Sequence, residues 1–117
     1  MISIFREHTN RLVQQKGPYL DQKNSSLAIM ALGLSGECGE VTDEIKKILG
    51  HGKPVDREKI LNELGDVLFY TDRVLAAFGF TLEDAMQSNI DKLNKRYPNG
   101  FDSAEKKFGF SKEEGAL

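Results

Sequence analysis

The chain has 117 residues, a formal net charge of -2, 39% hydrophobic and 29% charged residues, and a single cysteine. One globular domain with a modest core is the expectation, an internal disulfide is excluded, and a nucleic-acid binder relying on a basic surface is disfavoured. The start MISIFREHTN lacks the pattern of a secretory signal, and no apolar run approaches the ~18 residues a membrane span needs, so the cytoplasm is the expected location and no membrane partner is expected.

Four helices are predicted in chain order. The first runs from about Ser3 to Lys16 and is stopped by Gly17-Pro18. The second starts near Asn24 or Ser25, either of which can cap it, and runs to Leu49. Lys46 and Lys47 suit its last turn, and Gly50 is the expected C′ residue. The third follows Asp56, a good N-cap, and runs to about Phe78 before Gly79. The fourth begins TLED, where Thr81 and Asp84 can form a capping box, and it ends before the turn signal YPNG. The last stretch, AEKKFGFSKEEGAL, is polar and glycine-bearing, so the tail 102–117 is expected to be loosely held.

No stretch alternates as a strand does. The expected fold is all-α, a four-helix-bundle-like set of antiparallel helices in one domain, 1–117. The second and third helices would each be roughly 35 Å long. Helices that long and that few suggest a core completed by a second chain.

The second helix carries an apolar stripe of Met30, Leu34, Val41, Ile45 and Ile48, and Glu37 interrupts it. The third carries Ile60, Val67, Tyr70, Val74 and Phe78, interrupted by Glu63. Each glutamate has a second acid at i+3, Glu40 and Asp66. Residues at i and i+3 lie on nearby helix faces. Packed antiparallel, the two helices bring four carboxylates together. A single E-x-x-E is common on solvated faces; the doubled pattern is not. Like charges 4 Å apart repel by about 4 kcal/mol at an effective dielectric of 20. Neither stripe holds a lysine or arginine to neutralise them. A hard divalent cation fits oxygen donors, and Mg²⁺ commonly joins carboxylates to phosphates. A di-iron site needs Glu-x-x-His motifs, and neither His8 nor His51 follows a candidate acid at that spacing. Both histidines read as ordinary surface or packing residues.

Gly33, Gly36 and Gly39 recur at spacing three on the second helix. They mark either a close helix crossing or a ligand contact. Cys38 lacks a base neighbour in sequence and reads as a small packing residue. On the fourth helix Asn89, Lys92 and Arg96 form one edge. Its cations suit the helix dipole, and beside an acid–metal cluster they suit phosphate oxygens. Tyr97 and Phe101 follow, either to stack on a base or to pack the tail.

Taken together, GECGEV, ELGDVLFY and NIDKLNKRYPNGF resemble the MazG-like nucleotide pyrophosphohydrolases of the all-α NTP pyrophosphatase superfamily, over roughly residues 25–101. The resemblance implies cleavage of an NTP or dNTP to the monophosphate and pyrophosphate, with Mg²⁺ (or Mn²⁺), by a homodimer or homotetramer. Carried over, Glu37, Glu40, Glu63 and Asp66 would hold the metal, and Asn89, Lys92 and Arg96 would bind substrate; the expected mechanism also has Glu40 orient or deprotonate the attacking water. The chain has no tryptophan, so any base stacking falls to Phe or Tyr. A non-hydrolysing nucleotide-binding or regulatory module, a purely structural helical partner, and a relative specialised for one nucleotide, such as dCTP, dUTP or phosphoribosyl-ATP, remain open.

Overall fold

The computed structural model describes residues 1–13 and 24–100. They form four helices and no strand: α1 (Ile2–Leu12), α2 (Asn24–His51), α3 (Arg57–Ala77) and α4 (Leu82–Arg96). The all-α expectation holds. Phe101 and the tail 102–117 lie outside the described residues. The chain divides into two compact units, Met1–Leu82 and Glu83–Leu117.

The first unit is built on a helical hairpin. Three contacts step forward along α2 as they step back along α3: Gly33 with Tyr70, Glu37 with Glu63, and Glu44 with Lys59. That order is the antiparallel register. α2 passes through Gly50, the expected C′ residue, and ends at His51. The left-handed residue is Gly52 instead, with φ +67°. A Cβ-free residue adopts that φ without strain, so the turn falls there. Asp56 caps α3 as predicted, its side chain accepting from the Lys59 backbone N–H at 3.1 Å. The far end of α3 closes in a Schellman motif. Gly79, at φ +79°, donates to the Ala76 carbonyl at 3.1 Å, and Phe80 donates to Leu75 at 2.9 Å.

α1 ends at Leu12, earlier than predicted. A buried ion pair ties it to α3: Arg6 Nε donates to Asp72 Oδ2 at 2.9 Å. Thr9 Oγ1 donates to the same oxygen at 2.6 Å. Arg6 also reaches the Phe80 carbonyl, and Arg73 donates to Asn10 Oδ1 and, at 3.1 Å, to Thr9 Oγ1. Burial alone would raise the Asp72 carboxyl; the hydrogen bonds of Arg6 and Thr9 outweigh it and hold that group below the ordinary aspartate range.

Leu82 is the only buried apolar side chain among the described residues; the fully buried side chains are Thr9, Glu44 and Asp72. The other apolar residues of the predicted stripes are half-buried, while Ile45 and Phe78 are exposed. A second apolar row on α3, Leu61, Leu64 and Leu68, is also exposed.

In the second unit, the acids Glu83 and Asp84 open α4 and the cations Lys95 and Arg96 close it, both matching the helix dipole. YPNG turns as predicted, with Gly100 donating to the Tyr97 carbonyl at 3.0 Å.

Candidate metal centre

The hairpin register places Glu37 of α2 against Glu63 and Asp66 of α3. One carboxylate oxygen from each lies within 4.8 Å of the other two. Glu37 and Glu63 are half-buried and Asp66 is exposed, so the group is rooted between the helices and open on one side. Burial, the Asp66 charge and a hydrogen bond with Glu63 push the Glu37 carboxyl above the ordinary glutamate range. Besides its burial, the raised carboxyl reflects the like charges of Asp66, Glu63 and Glu40 around it. The donor set is all oxygen and includes no histidine or cysteine. It fits a hard divalent ion and does not fit the Glu-x-x-His pattern of a di-iron centre.

Glu40 stands apart from the three. It is exposed on α2, one turn beyond Glu37, and its charge adds to the forces raising the Glu37 carboxyl. Cys38 is also exposed, which corrects the reading of it as a packing residue. It points off the half-buried stripe because it sits one residue past Glu37, about a quarter-turn round the helix. His8 is exposed, with its ring centroid 6.0 Å from Phe5 and 6.3 Å from Phe69, and His51 ends α2 exposed. Of the three glycines, Gly33 alone makes a close approach, to Tyr70; nothing lies within 4 Å of a Cβ built on Gly36 or Gly39.

Two features escaped the sequence reading. Glu44, two turns past Glu37 on the same face, is 1% exposed. Lys53 from the connecting loop lies 2.6 Å from its Oε1, and Lys59 of α3 lies 3.6 Å from its Oε2. The Lys53 hydrogen bond holds the Glu44 carboxyl below its ordinary range despite burial. Spacing i+7 from Glu37 was the available signal for Glu44. Lys59 precedes Glu63 by four residues, so a cation does neighbour the acid face, although the apolar stripes contain none.

Within the second unit, Asn89, Lys92 and Arg96 are all exposed on α4. Asn89, Ile90, Leu93, Asn94, Tyr97 and Gly100 line an open cavity of about 250 Å³.

Residues 25–101 match the family model described as the MazG nucleotide pyrophosphohydrolase domain. The chain is also similar to Gene 37 protein of Mycobacterium phage L5, at 33% identity over 78 residues, covering 63% of this chain and 68% of that protein. No solved structure matches significantly. All four motif acids and the α4 edge fall inside the matched segment.

Proposed function

The chain belongs to the MazG nucleotide pyrophosphohydrolase family, and from that membership we propose that it is a Mg²⁺-dependent nucleoside triphosphate pyrophosphohydrolase. Its products are the nucleoside monophosphate and pyrophosphate. The observation that carries the reading is the convergence of Glu37, Glu63 and Asp66 on one point between α2 and α3.

In this reading Glu37, Glu63 and Asp66, joined by Glu40, would hold Mg²⁺, with Mn²⁺ as a substitute. When bound, the ion would supply charge neutralisation of phosphate oxygens and a lowered pKa for a bound water. Glu40, exposed and outside the three-acid group, would orient the attacking water and accept its proton. The water oxygen bonds to the α-phosphorus, and the bond from that phosphorus to the bridging oxygen breaks. Lys92 and Arg96 balance the charge that grows on the departing pyrophosphate, and Asn89 contacts the sugar or a phosphate.

The partners in this reading are a nucleoside triphosphate and a second copy of the chain, as a homodimer or homotetramer. Half-covered stripes and the exposed Leu61, Leu64 and Leu68 support a partner helix, since apolar surface of that kind gains most from burial. Among the described residues no helix is long and apolar enough to cross a membrane.

The test is a product assay on a panel of NTPs, dNTPs and damaged nucleotides, with Mg²⁺ and with EDTA. Mg²⁺-dependent pyrophosphate with an equal amount of monophosphate is the expected result. Orthophosphate with a diphosphate overturns the assignment of attack to the α-phosphorus. Mg²⁺-dependent nucleotide binding without any product favours the non-hydrolysing module.

A further inference from the structure

We infer that the cavity on α4 receives the nucleobase of the substrate, and that Asn94 reads the edge of that base. The inference rests on the nucleotide reading above. It concerns the second unit alone, and it gives α4 a task beyond its Lys92 and Arg96 edge.

The cavity is lined by Asn89, Ile90, Leu93, Asn94, Tyr97 and Gly100, and its wall is mainly apolar. Its volume of about 250 Å³ lies just under the roughly 300 Å³ at which pockets for whole drug-sized ligands begin. It suits one part of a nucleotide, a flat ring system, with the remainder outside. Gly100, at φ +76°, turns the chain there and adds no side chain to the lining.

The order of residues round the helix separates the chemistry. At about 100° per residue, the circuit runs Lys92, Arg96, Asn89, Leu93, Tyr97, Ile90, Asn94. Cations lie on one flank, apolar and aromatic side chains in the middle, and a second carboxamide on the far flank. Asn89 belongs both to the cationic edge and to the cavity. A nucleotide laid across this face sets its phosphates toward Lys92 and Arg96, its sugar beside Asn89, and its base over Leu93, Tyr97 and Ile90. Bases gain from contact with flat and apolar side chains, and are told apart by hydrogen bonds at their edges. Asn94 is exposed. Its carboxamide offers a donor and an acceptor side by side, the pattern that pairs with a base edge.

The test is calorimetric binding to the full chain, with Mg²⁺, of the α,β-imido analogues of dATP, dCTP, dGTP and dTTP, and of tripolyphosphate, which has no base. Three chains are compared: wild type, Asn94→Leu, which keeps the size of the side chain and removes its hydrogen bonds, and Ile90→Trp, which fills the cavity. Both positions are exposed, so the helix tolerates either change. The expected result in each variant is binding weakened by about tenfold or more for the analogue that wild type binds best, as for loss of a base-edge hydrogen bond. Tripolyphosphate binding stays unchanged. Wild-type affinity for that analogue in either variant overturns the inference and leaves the proposed function standing. An equal loss for analogue and tripolyphosphate does the same, since the cavity then serves the phosphates or the fold. So does a wild type that binds the analogues no more tightly than tripolyphosphate. A wild type that binds neither tripolyphosphate nor any of the analogues overturns both.

Discussion

The ring of Tyr70 fills the space that a side chain on Gly33 would need. An ideal Cβ there falls 2.6 Å from ring atoms Cδ1 and Cζ. Glycine in α2 is therefore explained at this position by close approach across the hairpin, the structural one of the two readings its spacing allowed.

Gly33→Ala should destabilise the protein. Helix propensity gains about 1 kcal/mol, but the displaced ring adds a cost of about 1–3 kcal/mol. Gly36→Ala and Gly39→Ala meet open space, and each should stabilise by up to about 1 kcal/mol. Urea unfolding of the three variants separates them. A Gly33→Ala variant more stable than wild type would contradict the packing of Tyr70.

Glu37→Gln should make the metal-free protein more stable near neutral pH. The sign follows from the raised carboxyl: its contribution is present below the unfolded-state value and is lost as pH rises through the higher folded-state value. Glutamine stays neutral and escapes that loss. The same variant should lose the thermal shift with Mg²⁺, which in wild type reaches about 2.7 kcal/mol at a hundredfold excess over the dissociation constant. Thermal scans across pH, with and without Mg²⁺, read both effects. A full Mg²⁺ shift in the variant would remove Glu37 from the metal site.

Arg6→Ala should cost about 3 kcal/mol, because it strands the Asp72 carboxylate in a buried place. The depressed Asp72 carboxyl stabilises the fold above its unfolded-state value and loses that effect as pH falls through the lower folded-state value. Without Arg6 the folded-state value rises, so the acid unfolding limb should move to higher pH. Circular dichroism along an acid titration measures it, and superimposable curves would mean that the ion pair is not formed in solution.

Arg96→Ala and Lys92→Ala should each raise KM for the nucleotide by about tenfold, the loss of one charged contact. Steady-state kinetics decide. Unchanged KM and kcat in both variants would return the α4 cations to the helix dipole.

Helix identity and most ends were legible because breakers and caps act locally. Asp56, Gly79 and YPNG each performed the role their chemistry implies. The convergence of Glu37, Glu63 and Asp66 was legible because helical spacing turns a linear motif into a shared face, while Glu40 falls outside that group. The Gly50 reading failed by two residues, since either glycine can take a left-handed φ and the choice depends on where the loop meets α3. Arg6 with Asp72 left no local trace, and Glu44 with its lysines left none beyond the i+7 spacing from Glu37. Each joins residues from different elements, and a buried charge looks like a solvated one until its partner is known. Cys38 illustrates the converse: lacking a base neighbour in sequence it read as a packing residue, yet beside Glu37 on the helix it is exposed.

Two helices that meet through small apolar side chains can slide by a turn at modest cost. This hairpin resists that motion at two points. Near one end Tyr70 fits only over a residue without a side chain, and near the other Glu44 is sealed from water with its lysines beside it. A slip of one turn toward the start of α2 would leave the ring against Met30, and a slip either way would part Glu44 from Lys59. Glu37 lies between these points on α2, so the alignment of the three acids is inherited from two contacts that need not touch substrate at all.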